Sequence, residues 1–327
     1  MSAANKKKKT TGTFSKKHVF VLLACILAAC IFAFAAGVLF GNAVQLPNLL
    51  THAEEIPTES ASVTPVQEPP VQTALPSVSV APEQTPPEPI VPPQIPLAHT
   101  GARLAFVIDD AGESVENVRR YTDLPMPLTI AVLPRVKFSK ECADLIRSAG
   151  KEIILHQPMQ AENLAMNPGA GAITQNMHTN DIAQVLKENL ARIGPVQGMN
   201  NHEGSLITSD IIRIGAVLEV CAEQNVYFID SRTALAEKNK VRQAALERDM
   251  TILERNAPFL DNIVTREELF AEILKGLAVA NRQGYAIMIG HVDKSVEIFP
   301  ALLAELYPQL IEKGYTVTTP SHLLSAQ

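Results

Sequence analysis

From Arg103 onward, short apolar runs alternate with amphipathic stretches, and this alternation constrains the fold more than any other feature of the chain. It is typical of βα units that build a largely parallel sheet. The predicted strands are Leu104–Ile108, Leu128–Leu133, Glu152–Leu155, Val196–Met199, Val226–Ile229, Met250–Leu253, Tyr285–Ile289 and Thr316–Thr318. The predicted helices are Ser139–Ser148, Asp181–Arg192, Asp210–Gln224, Arg266–Gln283 and Ser295–Lys313. About seven or eight strands in this order favour a (β/α) barrel over an open sheet.

The beginning of the chain has a different pattern. A lysine-rich start, residues 1–18, precedes an uninterrupted apolar run from about Val19 to Phe40. At about 1.5 Å per residue, a helix of this length crosses a ~30 Å hydrocarbon core. No Lys or Arg then occurs until Arg103, so the charge asymmetry places the N-terminus in the cytoplasm. We therefore expect a cytoplasmic tail, a transmembrane helix at residues 19–41, and everything after it outside the cytoplasm.

Two other interpretations of the apolar run stay open. A cleaved signal peptide would normally have an apolar region of only about 7–15 residues, which is shorter than this run. The run Leu27-Ala28-Ala29-Cys30 resembles the lipobox of bacterial lipoproteins, although more apolar residues follow it, from Ile31 to Ala36.

Residues 42–100 are rich in proline and contain few large apolar side chains. Proline fixes φ and removes a backbone donor, so we expect a disordered, extended linker. Residues 101–327 mix apolar runs, charged faces and glycines, and their number suffices for one domain with a substantial core.

Charge and cysteine content narrow the possible partners and sites. The net charge of −6 gives no basic field for phosphate backbones, which argues against nucleic acid as a partner. The spacing of the four cysteines fits neither a zinc motif nor a dense disulfide framework. Cys142 and Cys221 lie in predicted helices and are expected to be buried thiols, with a disulfide in an oxidising compartment as the alternative.

Polar side chains follow five of the predicted strands. They are Asp109, Asp110, His156, Asn200, Asn201, His202, Asp230, Ser231, Arg232 and His291. In a parallel α/β fold these strand ends open on one face, where active sites are built. One Asp and two His can hold a divalent ion with open positions, while a second Asp acts as base and a remote His as acid. Taken singly, each residue could instead be a helix cap or a hydrogen-bonded loop residue.

These motifs resemble, in the same order along the chain, those of the polysaccharide deacetylase superfamily. The likeness is greatest to its divergent branch, a family of bacterial envelope proteins. It rests on Val107-Ile108-Asp109-Asp110, Leu155-His156-Gln157-Pro158-Met159, Met199-Asn200-Asn201-His202-Glu203-Gly204-Ser205, Phe228-Ile229-Asp230-Ser231-Arg232-Thr233 and Ile289-Gly290-His291. The chain departs from the branch at Glu203, where Met is usual, and at Val292-Asp293, where proline usually follows the histidine.

The resemblance implies a distorted (β/α) barrel that removes acetyl groups from N-acetylated sugars with a bound divalent metal, expected to be zinc. It implies Asp109 as general base, His291 as general acid, and Asp230 with Arg232 as an orienting, hydrogen-bonded charge pair. The implied metal ligands are Asp110, His156 and His202. The residues expected to bind substrate are Asn200, Asn201, Ser205 and Ser231.

The expected partners are an acetylated polysaccharide and the bacterial inner membrane, with the domain in the periplasm or outside the cell. Two alternative functions stay open. One is a catalytically inactive, deacetylase-like module that binds glycan or protein. The other is a metal-dependent hydrolase of another bond type, because fold and metal do not dictate the substrate.

Overall fold

The structure, a computed structural model, describes residues 94–325. The predicted tail, the predicted transmembrane helix and the predicted linker up to residue 93 lie outside the described residues. Within residues 94–325, no helix is long and apolar enough to cross a membrane.

Strands and helices alternate along the described chain. In order they are β1 (Arg103–Ala111), α1 (Val115–Thr122), β2 (Thr129–Val132), α2 (Ser139–Ser148), β3 (Glu152–Met159), α3 (Thr179–Ile193), β4 (Gly198–Glu203), α4 (Ile211–Gln224), β5 (Tyr227–Asp230), α5 (Val241–Leu246), β6 (Leu253–Glu254), α6 (Arg266–Gln283), β7 (Tyr285–His291), α7 (Val292–Ser295), α8 (Phe299–Glu312), β8 (Thr316–Thr318) and α9 (Pro320–Leu324).

The strands form one parallel sheet that is nearly closed on itself. Its order is β6-β5-β4-β3-β2-β1-β7, and β8 pairs with the first residues of β1. The chain just after β6 bridges back to β7 through Phe259 and Ile289, which narrows the remaining gap. The predicted α/β class and barrel of seven or eight strands are therefore confirmed.

The core has two layers, one inside the barrel and one between the sheet and the helices. Side chains that alternate along the strands fill the inside, because successive residues of a strand point to opposite faces. The buried interior residues are Ala105, Val107, Ala131, Ile154, Ile229, Leu253, Ile287, Ile289 and Leu323. Full burial of a large apolar side chain contributes roughly 1.5–3 kcal/mol. Leu323 comes from α9, whose Ser321 hydroxyl donates to the Glu152 carboxylate at the beginning of β3, so α9 covers the N-terminal end of the barrel.

One glycine lets an aromatic ring fill the barrel. A Cβ placed on Gly198 of β4 would lie 2.3 Å from the ring of Tyr227 on the neighbouring strand. The Tyr227 hydroxyl donates to Glu152 Oε1 over 2.5 Å, which fixes the ring near the N-terminal end of the barrel.

The structure differs from the sequence predictions mainly at element ends. Strands β1, β3, β4 and β7 continue through the polar residues that we expected to follow them, because neighbouring strand ends still pair in register. The predicted helix Ser295–Lys313 corresponds to α8, which begins later, at Phe299, while Ser295 is the last residue of the short helix α7. Pro300 near the start of α8 lacks an N–H and its ring excludes a continuous helix through the preceding turn. Cys142 and Cys221 are both buried and unpaired.

Candidate metal centre and active site

The polar residues at the strand ends belong to the same alternating set of side chains that points into the barrel. Asp109 lies two residues beyond the interior residue Val107, and His156 lies two beyond Ile154. The period of two along a strand therefore turns both side chains inward at the C-terminal end of the barrel. Strand pairing aligns Asp109 with His291, and His156 with Asn200.

Asp110 leaves this alternating set because the backbone of β1 is irregular there. The β1–β2 register shifts between Ile108 and Ala111, and Asp110 has φ of 65°. A non-glycine residue in the left-handed region costs on the order of 1–3 kcal/mol and is common at functional sites. The bulge lets two successive carboxylates face the same centre, with Asp110 directed at two histidines.

Three potential ligand atoms converge at this centre. Asp110 Oδ1 lies 3.0 Å from His156 Nε2 and 3.0 Å from His202 Nδ1, and the two nitrogens are 3.1 Å apart. Ligand atoms that share one ion at about 2.0–2.2 Å also lie roughly 3 Å apart. One carboxylate oxygen and two imidazole nitrogens suit zinc or a similar divalent ion. The structure thus brings together the three residues expected to bind the metal, and they fit such an ion.

Asn200 connects the centre to Asp109. Its amide oxygen is 2.6 Å from His156 Nδ1, and its Nδ2 donates to Asp109 Oδ1 over 2.8 Å. Because the amide oxygen can only accept, Nδ1 of His156 carries a proton and Nε2 faces the ligand cluster. Asn200 is fully buried, so the structure gives it a positioning role instead of the expected contact with substrate.

The charges of the centre shift each other's pKa. Burial alone would lower the pKa of His156, but Asp109 and Asp110 outweigh it and raise that pKa to about 9. Burial alone would raise the pKa of Asp110, but hydrogen bonds from His156 and His202 hold it well below its usual range. The pKa of Asp109 is raised, chiefly by burial. Because metal ligands must be deprotonated, an ion bound here would compete with the proton on His156.

On the other side of Asp109, His291 is held by a carboxylate that sequence reasoning missed. Asp261 Oδ1 is 2.8 Å from His291 Nδ1, and its Oδ2 accepts from the His291 backbone N–H over 2.7 Å and from the Ser295 hydroxyl over 3.1 Å. Burial alone would lower the pKa of His291, but the hydrogen bond and charge of Asp261 raise it. Asp261 lies in the long loop after β6, where no pattern in the sequence marks it.

The expected charge pair between Asp230 and Arg232 is not formed. Asp230 accepts from the backbone N–H of Arg232 over 2.8 Å, whereas the Arg232 guanidinium lies 4.0 Å from Glu254. Arg232 has φ of 53°, which turns its side chain away. The arginine that packs beside the site is Arg255, whose Nε donates to the carbonyl of Ser231 over 2.9 Å.

Arg255 also supports His291 through an aromatic ring. Its guanidinium lies 3.9 Å from the centroid of the Phe259 ring, and that ring lies 5.6 Å from the imidazole of His291. A guanidinium over an aromatic face is attractive, so this stack helps to fix the wall of the cleft. Nothing in the sequence pattern distinguished Arg255 from the other arginines.

A cleft of about 360 Å³ opens above the centre. Its lining residues are Asp109, His156, Ala161, Met166, Asn201, His202, Glu203, Ser205, Ser231, Thr233, Phe259 and His291. The Ser205 hydroxyl accepts from the backbone N–H of Glu162 over 2.9 Å. Asn201 mainly joins the end of β4 to the loop after β5, because its Oδ1 accepts from the N–H of Ser231 over 2.9 Å.

Residues 106–324 match the family model described as divergent polysaccharide deacetylase. The chain belongs to this family. The match covers the barrel except residues 103–105 at the beginning of β1. It includes the ligand cluster, Asp109, Asp261 and His291.

Two curated relatives resemble this member of the family. The uncharacterised protein YibQ of Escherichia coli K12 is 26% identical over 210 residues, which are 64% of this chain and 64% of YibQ. An uncharacterised protein of Haemophilus influenzae Rd is 26% identical over 196 residues, 58% of this chain and 66% of the relative. The chain thus matches just under two thirds of the length of these relatives.

A solved structure of similar fold is the uncharacterised protein ATU2773 from Agrobacterium tumefaciens C58. It aligns with a TM-score of 0.63 and 18% sequence identity, over 70% of this chain and 99% of ATU2773. This likeness extends to the fold alone.

The contact between Asp261 and His291 gives a prediction about the pH dependence of His291. Because Asp261 raises the pKa of His291, the imidazole keeps its proton to higher pH than it otherwise would. Asp261→Asn should therefore move the loss of that proton to lower pH. An NMR titration of the His291 Cε1–H signal, assigned with His291→Gln, measures this shift.

Asp293→Asn is the matched control, because Asp293 is exposed and its carboxylate accepts from Asn117 instead of contacting His291. It should leave the His291 titration unchanged. An unchanged titration in Asp261→Asn would show that Asp261 does not set the protonation of His291.

Proposed function

We propose that the domain is a metal-dependent hydrolase that removes acetyl groups from an N-acetylated envelope or extracellular polysaccharide. Membership of the divergent polysaccharide deacetylase family supports this reaction class. The observation that carries the proposal is the placement of Asp109 and His291 next to the ligand cluster of Asp110, His156 and His202. Asp109, His291 and the two histidine ligands line one cleft, so the proposed base, acid and metal would meet one substrate.

An ion held by the ligand cluster would polarise the acetyl carbonyl and lower the pKa of water. Asp109 is the base that takes a proton from the attacking water as the new C–O bond forms. Its raised pKa brings it nearer to the working pH, which favours proton transfer. Asn200 holds Asp109 Oδ1, so Oδ2 is the oxygen left to accept the proton.

His291 is the acid that protonates the departing nitrogen as the C–N bond breaks. The products are then acetate and a free amine. Asp261 supports this role, because it binds Nδ1 and leaves Nε2 of His291 to face the cleft. The raised pKa of His291 favours the protonated imidazole that this role needs.

The proposed location is the outer side of a bacterial inner membrane, with residues 19–41 as the anchor. The lysine-rich start, the apolar run and the proline-rich segment support this location. A tethered domain on that side would meet acetylated polymers rather than cytoplasmic metabolites.

The test uses the full-length chain, purified and loaded with zinc. We expect about one divalent ion per chain and release of acetate, with an equal amount of new amine, from chitotetraose or a peptidoglycan fragment. Metal-bound protein that binds these glycans but releases no acetate would contradict the hydrolase and favour a binding module. New reducing ends without acetate would instead indicate hydrolysis of another bond.

A further inference from the structure

Two polar groups in the cleft are buried and lack partners among the described residues. They are Oε2 of Glu203 and the hydroxyl of Ser231, and both residues line the cleft. Ser231 is only 1% exposed. A buried polar group without a partner is costly, and each such group in a native structure calls for an explanation. Because both groups lie in the cleft, a ligand bound there would supply their missing hydrogen bonds.

The backbone groups of both residues form hydrogen bonds within the fold, whereas the two side-chain atoms named above do not. The carbonyl of Glu203 accepts from Asn201 Nδ2 over 2.7 Å and from the Thr233 hydroxyl over 2.6 Å. At Ser231 the N–H donates to Asn201 and the carbonyl accepts from Arg255. Glu203 also has φ of 53°, a left-handed conformation that fixes where its side chain begins. Hydrogen bonds thus fix the backbone at both residues, while Glu203 Oε2 and the Ser231 hydroxyl have no partner among the described residues.

Glu203 is separate from the proposed metal ligands. The described cluster whose ligand atoms lie within 4.8 Å of one another contains Asp110, His156 and His202 only. A divalent ion there would offset the charges of Asp109 and Asp110. The negative charge of Glu203 would stay uncompensated, because the described residues that line the cleft include no Lys or Arg and the imidazole of His291 is already paired with Asp261.

This charge distribution favours one kind of substrate. A carboxylate accepts hydrogen bonds but donates none, so it pairs with a hydroxyl, an amide N–H or an ammonium group. It repels a second carboxylate, and such like-charge contacts are a common way to exclude a wrong ligand.

We infer that Glu203 and Ser231 form a specificity subsite that binds a hydrogen-bond donor on the sugar and excludes sugars with a carboxylate at that place. The inference rests on the proposed function, since it names the substrate class of the same cleft. The expected substrates are then neutral or amine-bearing N-acetylated glycans. Glycans that contain uronic acids are expected to bind poorly.

The experiment measures dissociation constants by calorimetry on the full-length chain, both zinc-loaded and treated with chelator. The probes are chitotetraose, the corresponding glucosamine tetramer, and a hyaluronan tetrasaccharide, which is N-acetylated and anionic. Glu203→Gln should weaken binding of chitotetraose or of the glucosamine tetramer roughly tenfold or more, because a charge-assisted hydrogen bond is lost. It should strengthen binding of the hyaluronan tetrasaccharide. Ser231→Ala should weaken the same neutral or amine probe several-fold.

The two tetramers show which group of the sugar donates the hydrogen bond to Glu203. Weaker binding of chitotetraose identifies a neutral donor, a hydroxyl or an acetamide N–H, and weaker binding of the glucosamine tetramer alone identifies an ammonium group. Glu162→Gln is the matched control, because Glu162 pairs with Lys238 and does not line the cleft. It should leave all three constants unchanged.

Unchanged constants in Glu203→Gln, or no measurable binding of either tetramer to the wild type, would overturn the subsite. A loss of bound zinc in Glu203→Gln would overturn it too, by making Glu203 a metal ligand. Acetate release is assayed separately. Binding that depends on Glu203 without acetate release rejects the proposed deacetylation alone, whereas acetate release with binding independent of Glu203 rejects the subsite alone.

Discussion

Asp110→Ala should abolish both metal binding and acetate release. Asp110 supplies the only carboxylate oxygen of the described ligand cluster, 3.0 Å from each of the two histidine nitrogens. Loss of a group that merely orients a ligand costs about 10–100-fold in metal affinity, so loss of the ligand itself should cost at least about 100-fold. Metal content of the purified chain and a zinc titration measure this change.

The control for Asp110→Ala is Asp249→Ala. Asp249 is also an aspartate in the left-handed region, with φ of 51°, but it is exposed and outside the cleft. The backbone strain of alanine is therefore similar in the two variants, and only the ligand differs. Zinc at 100 times its dissociation constant should stabilise the wild type and Asp249→Ala by about 2.7 kcal/mol, but not Asp110→Ala. Equal zinc content in all three proteins would refute the ligand assignment.

Asp109→Asn should remove turnover while leaving the metal in place. The amide keeps an oxygen that can accept from Asn200 Nδ2, but it cannot take a proton from water. A positioned general base contributes about 10²–10⁴-fold to the rate, and kcat/KM for acetate release should fall by that factor. Bound zinc should stay at about one ion per chain, because Asp109 is not in the ligand cluster.

Asp144→Asn serves as the control for the same chemical change. Asp144 forms ion pairs with Lys140 and Arg147 on the surface of α2, and such exposed pairs contribute little. It should keep wild-type kcat/KM. If Asp109→Asn kept wild-type kcat/KM as well, another group would have to be the base. If it lost zinc, Asp109 would be a ligand and the assignment of the two neighbouring carboxylates would have to be exchanged.

Much of the barrel could be predicted from local pattern. The helices Ser139–Ser148 and Arg266–Gln283 and the strand Thr316–Thr318 have the predicted bounds, because hydrophobic periodicity is a local property of the chain. The predicted strands ended too early at the active site. Polar residues such as Asp109 and His156 look like loop residues in sequence, yet pairing with neighbouring strands keeps them in the sheet.

The supporting residues could not be predicted in the same way. The amide of Asn200 reaches Asp109, 91 residues earlier in the chain, and Asp261 reaches His291 from a loop 30 residues away. These contacts depend on loop conformation and side-chain rotamers, which no period in the sequence encodes. The expected contact between the Asp230 and Arg232 side chains was wrong for the same reason, since the left-handed backbone at Arg232 turns the guanidinium toward Glu254.

The sequence by itself determined the parallel α/β barrel and the face on which its active site lies. Alternating apolar runs fix the strands, and parallel strands direct all their polar ends to one side. Only the tertiary structure decided which polar groups meet. The bulge at Asp110 brings a second carboxylate to the histidines, and the packing of the end of β4 against the loop after β5 leaves Glu203 Oε2 and the Ser231 hydroxyl without partners among the described residues. Both results arise from contacts between distant segments, which are set by the closure of the barrel.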